Sequence, residues 1–98
     1  MYAVIRRYQF DTKASEEISR HVREGFIPLL RKTPGFVSYN WLDTGNGVGA
    51  SIGVFQDKAG AEESVRLAAT YVQQHMPGLL GKPEITQGEV RYTPDTRS

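Results

Sequence analysis

Apolar and polar positions alternate through the first strand of this chain. In Tyr2–Gln9 (YAVIRRYQ), Tyr2, Val4, Arg6 and Tyr8 share one face and Ala3, Ile5 and Arg7 the other. The period then lengthens. From Ser15 to Lys32, the residues Ile18, Val22, Phe26, Leu29 and Leu30 recur at helical spacing and form one apolar stripe. Glu16 and Glu17 in the first turn and Arg31 and Lys32 in the last complement the helix dipole. Asp11, Thr12 or Ser15 is placed to cap it. Gly25 interrupts the stripe, either for close approach to the sheet or to leave room for a ligand. Pro28 removes a backbone donor and predicts a kink.

The segment from Pro34 to Phe55 is the centre of the pattern. Two β-prone runs, Phe36–Leu42 and Val48–Phe55, flank turn residues Asp43–Gly47, which predicts a hairpin. Alternation puts Val37, Tyr39 and Trp41 on one face of the second strand, and Phe36, Ser38, Asn40 and Leu42 on the other. In the third strand Val48, Ala50, Ile52 and Val54 form an apolar face. Gly49, Ser51 and Gly53 form a face of little bulk, which signals close approach by a backbone or a ligand. Asp57 is placed to cap a second helix, Lys58 to about His75, with a stripe of Ala61, Val65, Ala68, Val72 and Met76. Pro77-Gly78 ends it, Leu79 and Leu80 form an apolar plug, and Glu84–Tyr92 reads as the last strand.

The order is β-α-β-β-α-β. Right-handed crossovers then put both helices on one face of a four-stranded antiparallel sheet, an α+β ferredoxin-like arrangement. Residues 1–92 form one domain and 93–98 a polar tail. The strands carry apolar groups on both faces, while the helices cover only one. A second copy of the sheet is the simplest cover, so a homodimer joined through the open face is expected.

Composition narrows the function classes. Twelve basic and eleven acidic residues leave a net charge of +1, which provides no electrostatic reason for nucleic acid or an anionic membrane as partner. Cysteine is absent, which excludes disulfides, thiolate catalysis and Cys-based metal sites. No signal-peptide pattern or membrane-spanning stretch is present, so a cytoplasmic location is the default expectation. GNGVG sits in a hairpin and not between a strand and a helix, so nucleotide binding is not supported.

Three features together resemble the antibiotic biosynthesis monooxygenase-like family of dimeric α+β barrels. They are the β-α-β-β-α-β order, Pro34-Gly35-Phe36-x-x-Tyr39 leading into the second strand, and Val54-Phe55-x-Asp57 leading into the second helix. The resemblance covers the chain up to Val90. It implies a homodimer with a shared barrel and, in each protomer, a small cavity between sheet and helices. Members include cofactor-independent quinone-forming oxygenases and haem-degrading oxygenases. The haem degraders use an Asn on strand one with a Trp and a His on helix two; here only His75 stands in such a place. The cofactor-independent oxygenases use an Asn, a Trp and a Tyr around helix two; here Tyr71 is the possible equivalent.

The residues themselves support the following candidates. His75 lies about 50° from the centre of its stripe, in line with Ser64, Ala68 and Tyr71. It is either a general base or axial ligand, or a histidine favoured by the helix C-terminus. His21, on the flank of the first helix, reads as solvated. Tyr39 and Trp41 either line a cavity for a flat aromatic ligand or belong to the core or dimer interface, the interface being preferred. Asn40 is a polar group for the helix-side cavity, or is satisfied by a neighbour. One of Arg6 and Arg7 is buried, and either pairs with Glu84 or Glu89 or binds an anionic substrate. One isolated histidine per helix does not make a metal site, and no cofactor is expected. The expected function is binding of a hydrophobic or aromatic small molecule, with cofactor-independent monooxygenation as its chemistry. The alternatives are a non-catalytic binding or assembly protein and a haem-degrading oxygenase. In the oxygenase, His75 or Tyr71 would move the proton and Asn40 or Trp41 would steady the oxyanion.

Overall fold

The computed structural model describes residues 1–92 and Pro94, so the expected tail at 93–98 lies, apart from Pro94, outside the described residues. The strands β1 (Tyr2–Gln9), β2 (Phe36–Asp43), β3 (Val48–Phe55) and β4 (Glu84–Glu89) form one antiparallel sheet in the order β2-β3-β1-β4. This is the ferredoxin-like order, with the two sequence-remote strands β1 and β3 in the centre. The last strand stops at Glu89, short of Tyr92; Glu89 pairs with Tyr2, and beyond it only the Val90 N–H, donating to the Met1 carbonyl at 2.8 Å, continues the pairing among the described residues.

The first helical arm is not one regular helix. Asp11 accepts from the Lys13 N–H at 2.9 Å and caps a 3-10 turn, Thr12–Ala14, which leads into α1 (Ser15–His21). A π-helical turn, Val22–Phe26, separates α1 from α2 (Ile27–Leu30), and the Ile27 N–H reaches back to the Val22 carbonyl. The kink expected at Pro28 thus takes the form of a wider turn just before it. A proline ring clashes with the carbonyl four residues earlier, and the wider turn relieves that contact. It also sets the face. In a regular helix each step of four residues overshoots by about 40°. The π turn absorbs that drift, so Ile18, Val22, Phe26 and Leu30 are all buried. Leu29, expected in the stripe, is rotated out and is 37% exposed.

The second long helix, α3 (Lys58–His75), begins as expected, with the Asp57 carboxylate accepting from the Gly60 N–H at 2.9 Å. Val4, Phe26, Leu30, Phe55, Ala61 and Ala68 form the core between helices and sheet. Among the described residues, no helix is long and apolar enough to cross a membrane.

Two details of the sheet decide what faces the helices. A bulge between Phe36 and Ser38 breaks the alternation, so Phe36 pairs with Phe55 and shares the helix side with Tyr39 and Trp41. The strict alternation of the sequence had put Phe36 on the opposite face. The small face of β3 also points to the helices. A Cβ on Gly49 would lie 2.6 Å from Trp41 Cη2, and one on Gly53 would lie 3.6 Å from Tyr39 Cδ1. The space over Gly49 and Gly53 is thus taken by aromatic side chains, those of Trp41 and Phe10 over the first and of Phe55 and Tyr39 over the second.

Candidate functional site

Tyr8 from β1, Tyr39 and Trp41 from β2, Phe26 from the π turn and Tyr71 from α3 converge on one cleft between sheet and helices. Their rings are in contact: Phe26 to Tyr39 at 5.6 Å between centroids, Phe26 to Tyr71 at 5.7 Å, and Tyr8 to Trp41 at 6.2 Å. The inner part of the cleft is narrow, about 20 Å³, with room for about one water. It shares Arg6, Tyr8, Ala68, Val72 and Leu80 with an outer pocket of about 370 Å³, bounded by the segment from Pro77 to Pro83. That volume lies in the usual range for small-molecule sites. Leu80, expected as a plug, contributes to both walls.

Arg6 lies on the floor of both spaces and is 3% exposed. Its Nη1 donates to the Ser64 carbonyl at 3.5 Å, its guanidinium lies 5.8 Å from the Phe26 ring centroid, and its Nε has no hydrogen-bond partner. The ion pair expected for the buried arginine belongs instead to the exposed one. Arg7 takes Glu84 at 2.9 Å, and Glu89 pairs with Arg91 at 2.9 Å. Burial pushes the Tyr8 and Tyr39 phenols above their usual value, and the nearby Arg6 charge opposes it.

The other sequence candidates divide. Tyr39, Trp41, Tyr71 and Ala68 line the cleft. The preferred interface reading of Tyr39 and Trp41 is thereby corrected, because both lie on the helix side. Ser64 is buried, but its hydroxyl turns back to the Ala61 carbonyl at 2.6 Å and is not part of the wall. Asn40 is exposed and pairs with Ile52 on the opposite face, so it does not reach the cleft. His75 is exposed and outside the cleft, with its ring 4.5 Å from that of Tyr71. His21, read as solvated, is half-buried; its Nδ1 and its carbonyl oxygen each lie 3.4 Å from the Tyr71 hydroxyl. Tyr71 is therefore flanked by both imidazoles of the chain.

Neither His21 nor His75 lines the inner or the outer pocket, so an imidazole is not among the groups that could hold a haem iron there; the inner wall offers the phenols of Tyr8, Tyr39 and Tyr71 and the thioether of Met76. Alternation had left the assignments of Arg6 and Tyr8 open. The signal for Arg6 was present, a charge between Val4 and Tyr8 on an otherwise apolar face. Met76 and Leu80 complete the wall from beyond the end of α3.

No family model matches the chain, and no curated protein matches it in sequence. Solved structures do match it in shape. A Deinococcus radiodurans protein described as a candidate antibiotic biosynthesis monooxygenase superposes with a TM-score of 0.78 at 10% identity, covering 100% of both chains. The monooxygenase ActVA-Orf6 of Streptomyces coelicolor, in complex with Nanaomycin D, superposes with a TM-score of 0.71 at 16% identity, covering 95% of this chain and 89% of that one. The haem degrader MhuD of Mycobacterium tuberculosis, with two haems in its active site, gives 0.75 at 11% identity over 97% and 100%. At such identities the likeness is one of fold, and it agrees with the strand order, the helix placement and the sheet-to-helix cleft. The chain has the ferredoxin-like α+β fold of the antibiotic biosynthesis monooxygenase-like proteins.

Proposed function

We propose that this chain forms a homodimer and binds a flat, apolar molecule of aromatic type in the cleft, where dioxygen oxidises it without a cofactor. The observation that carries this reading is the convergence of Tyr8, Phe26, Tyr39, Trp41 and Tyr71 on one space beside a 370 Å³ pocket. Rings so arranged recognise a planar ligand by stacking and edge contacts. The monooxygenase with bound Nanaomycin D shares the fold and supports the chemistry by analogy. In that chemistry a phenolic ring and one O₂ give a quinone and one water. A ring C–H and an O–H bond break, one oxygen is bonded to carbon, and the other leaves with both hydrogens. Tyr71 is the residue to relay the first proton, through its hydroxyl to His21. His75 acts only through the Tyr71 ring.

Dimerisation is supported by the open face. Ile5 is 41% and Leu42 49% exposed there, beside Val48, Ile52 and Val54. A second reading, a non-catalytic binder, is favoured by one observation: the Tyr71 hydroxyl is engaged by His21 and no imidazole lines the cleft. Oxygen uptake with a panel of naphthols and hydroquinones separates the two. Uptake of one O₂ per quinone formed, lost in Tyr71→Phe, is expected of the oxygenase. A flat trace with ligands that nevertheless bind rejects the oxygenase and leaves the binder.

A further inference from the structure

Three buried polar atoms without a hydrogen-bond partner lie on a single rung of the sheet. Arg6 on β1 pairs in register with Ser51 on β3, and Ser51 pairs with Trp41 on β2. Arg6 Nε, Ser51 Oγ and Trp41 Nε1 are each buried and unpartnered among the described residues. Adjacent strands are about 4.8 Å apart, so the three side chains are neighbours on the helix-facing surface. Arg6 and Trp41 both line the inner cleft. An arginine Nε–H and an indole N–H only donate, and a serine hydroxyl also can. The serine hydroxyl can accept as well, and the Tyr8 and Tyr39 hydroxyls approach Arg6 and Ser51. Arg6 Nε and Trp41 Nε1, however, only donate and have no acceptor among the described residues, so an accepting group fits between them.

The charge points the same way. A buried guanidinium stays protonated and is costly without a counter-charge. Glu84 and Glu89 are held at the surface by Arg7 and Arg91. The phenols of Tyr8 and Tyr39 are kept neutral by burial and do not supply it. Among the described residues, the only other charged one on the outer pocket wall is Lys82, also a cation.

We infer that the Arg6–Ser51–Trp41 row binds the anionic oxygen of an acidic ligand, a carboxylate or a phenolate carried by the aromatic molecule in the cleft. This rests on the reading of the cleft as an aromatic site and adds the ligand's charge and its orientation. The acid end lies on the row, and the apolar body extends along Ala68, Val72 and Leu80 into the outer pocket. If the bound molecule is a phenol, the same row holds it as phenolate, the form from which electrons pass to O₂.

The test is calorimetric titration of the intact protein with 2-naphthoate, with 2-naphthamide, and with 2-naphthol below and above its own pKa. The acid or the phenolate is expected to bind about tenfold or more tighter than the neutral amide, a typical worth for a charge-assisted contact. Arg6→Gln is expected to abolish that preference. Arg6→Met, which keeps the length of the side chain, provides a second folded variant for the same comparison. The single indole N–H resonance, that of Trp41, is expected to move with naphthoate and not with the amide. Preference for naphthoate alone assigns a carboxylate; affinity for naphthol that rises through its pKa assigns a phenolate. Equal affinity for charged and neutral probes, or a preference that survives Arg6→Gln, overturns the inference and leaves the aromatic cleft standing. Failure of every probe to bind overturns both.

Discussion

Gly25 makes the space that the Tyr71 hydroxyl occupies. A Cβ on Gly25 would lie 1.8 Å from Tyr71 Oη and 2.8 Å from Cζ. The glycine that interrupts the first helical stripe is thus a close-approach residue, and the group it admits is a side chain of α3. Gly25→Ala is expected to drive the tyrosine from its place and to cost about 1–3 kcal/mol, the usual range for overpacking. Adding Tyr71→Phe removes the nearest atom but not Cζ, so rescue should be partial. Urea denaturation of the two variants and of Tyr71→Phe alone measures this. Full additivity of the two substitutions would show that the residues do not meet.

Arg6 and Arg7 are adjacent in sequence and opposite in consequence. Arg7 and Glu84 form an exposed pair, so Glu84→Gln is expected to change stability by no more than about 1 kcal/mol. Arg6 is buried, and no carboxylate among the described residues pairs with it. Arg6→Met replaces an unpaired buried charge with apolar volume, and is expected to leave the protein as stable as before or more so. Chemical denaturation at neutral pH reads both. A large loss of stability in Arg6→Met would mean that the guanidinium is structural.

The buried phenols predict an alkaline limit to stability. Tyr8 and Tyr39 have pKa values raised above 10.0, by burial first. Above about pH 10 the phenols of the unfolded chain ionise while those of the folded chain hold their protons. Their contribution is therefore full below about pH 10 and is lost as pH rises through the higher folded values. Denaturation midpoints measured across that range should fall, and fall less steeply in a Tyr8→Phe, Tyr39→Phe double variant. An identical slope in the variant would contradict the assignment.

The architecture was legible because its signals are local. Two-residue alternation, helical spacing, the Asp57 cap and the turn at Asp43–Gly47 each survive in the folded chain. The misassigned positions depend on contacts between elements. The bulge at Val37 puts Phe36 on the same face as Tyr39, and nothing in the residue types announces an extra residue. Asn40 followed the alternation correctly, but which face of β2 meets the helices is set by pairing with β3. The same ambiguity left open which arginine is buried. Leu29 moved because a π turn upstream of Pro28 rephased the helix, whereas the proline alone suggested a kink at its own position. His75 lies at the edge of its stripe, where a few tens of degrees separate the cleft from solvent.

The uncovered sheet face leads to a prediction about assembly. Ile5 and Leu42 are exposed on it, and Ile52 lies between them in register with Ile5 and Asn40. Sedimentation is expected to give twice the 11.0 kDa chain mass, and Ile52→Glu to give the single chain with its helical signal retained. A monomer in the unmodified protein would remove the dimer from the proposal.

Trp41 provides the most direct test of the cleft, because it is the only tryptophan and its ring forms part of the wall. A non-fluorescent planar quinone titrated into the protein should quench the indole emission along a saturating curve, with one molecule bound per chain. Quenching that rises linearly without saturation, or emission that does not change, would mean that the cleft takes no aromatic ligand.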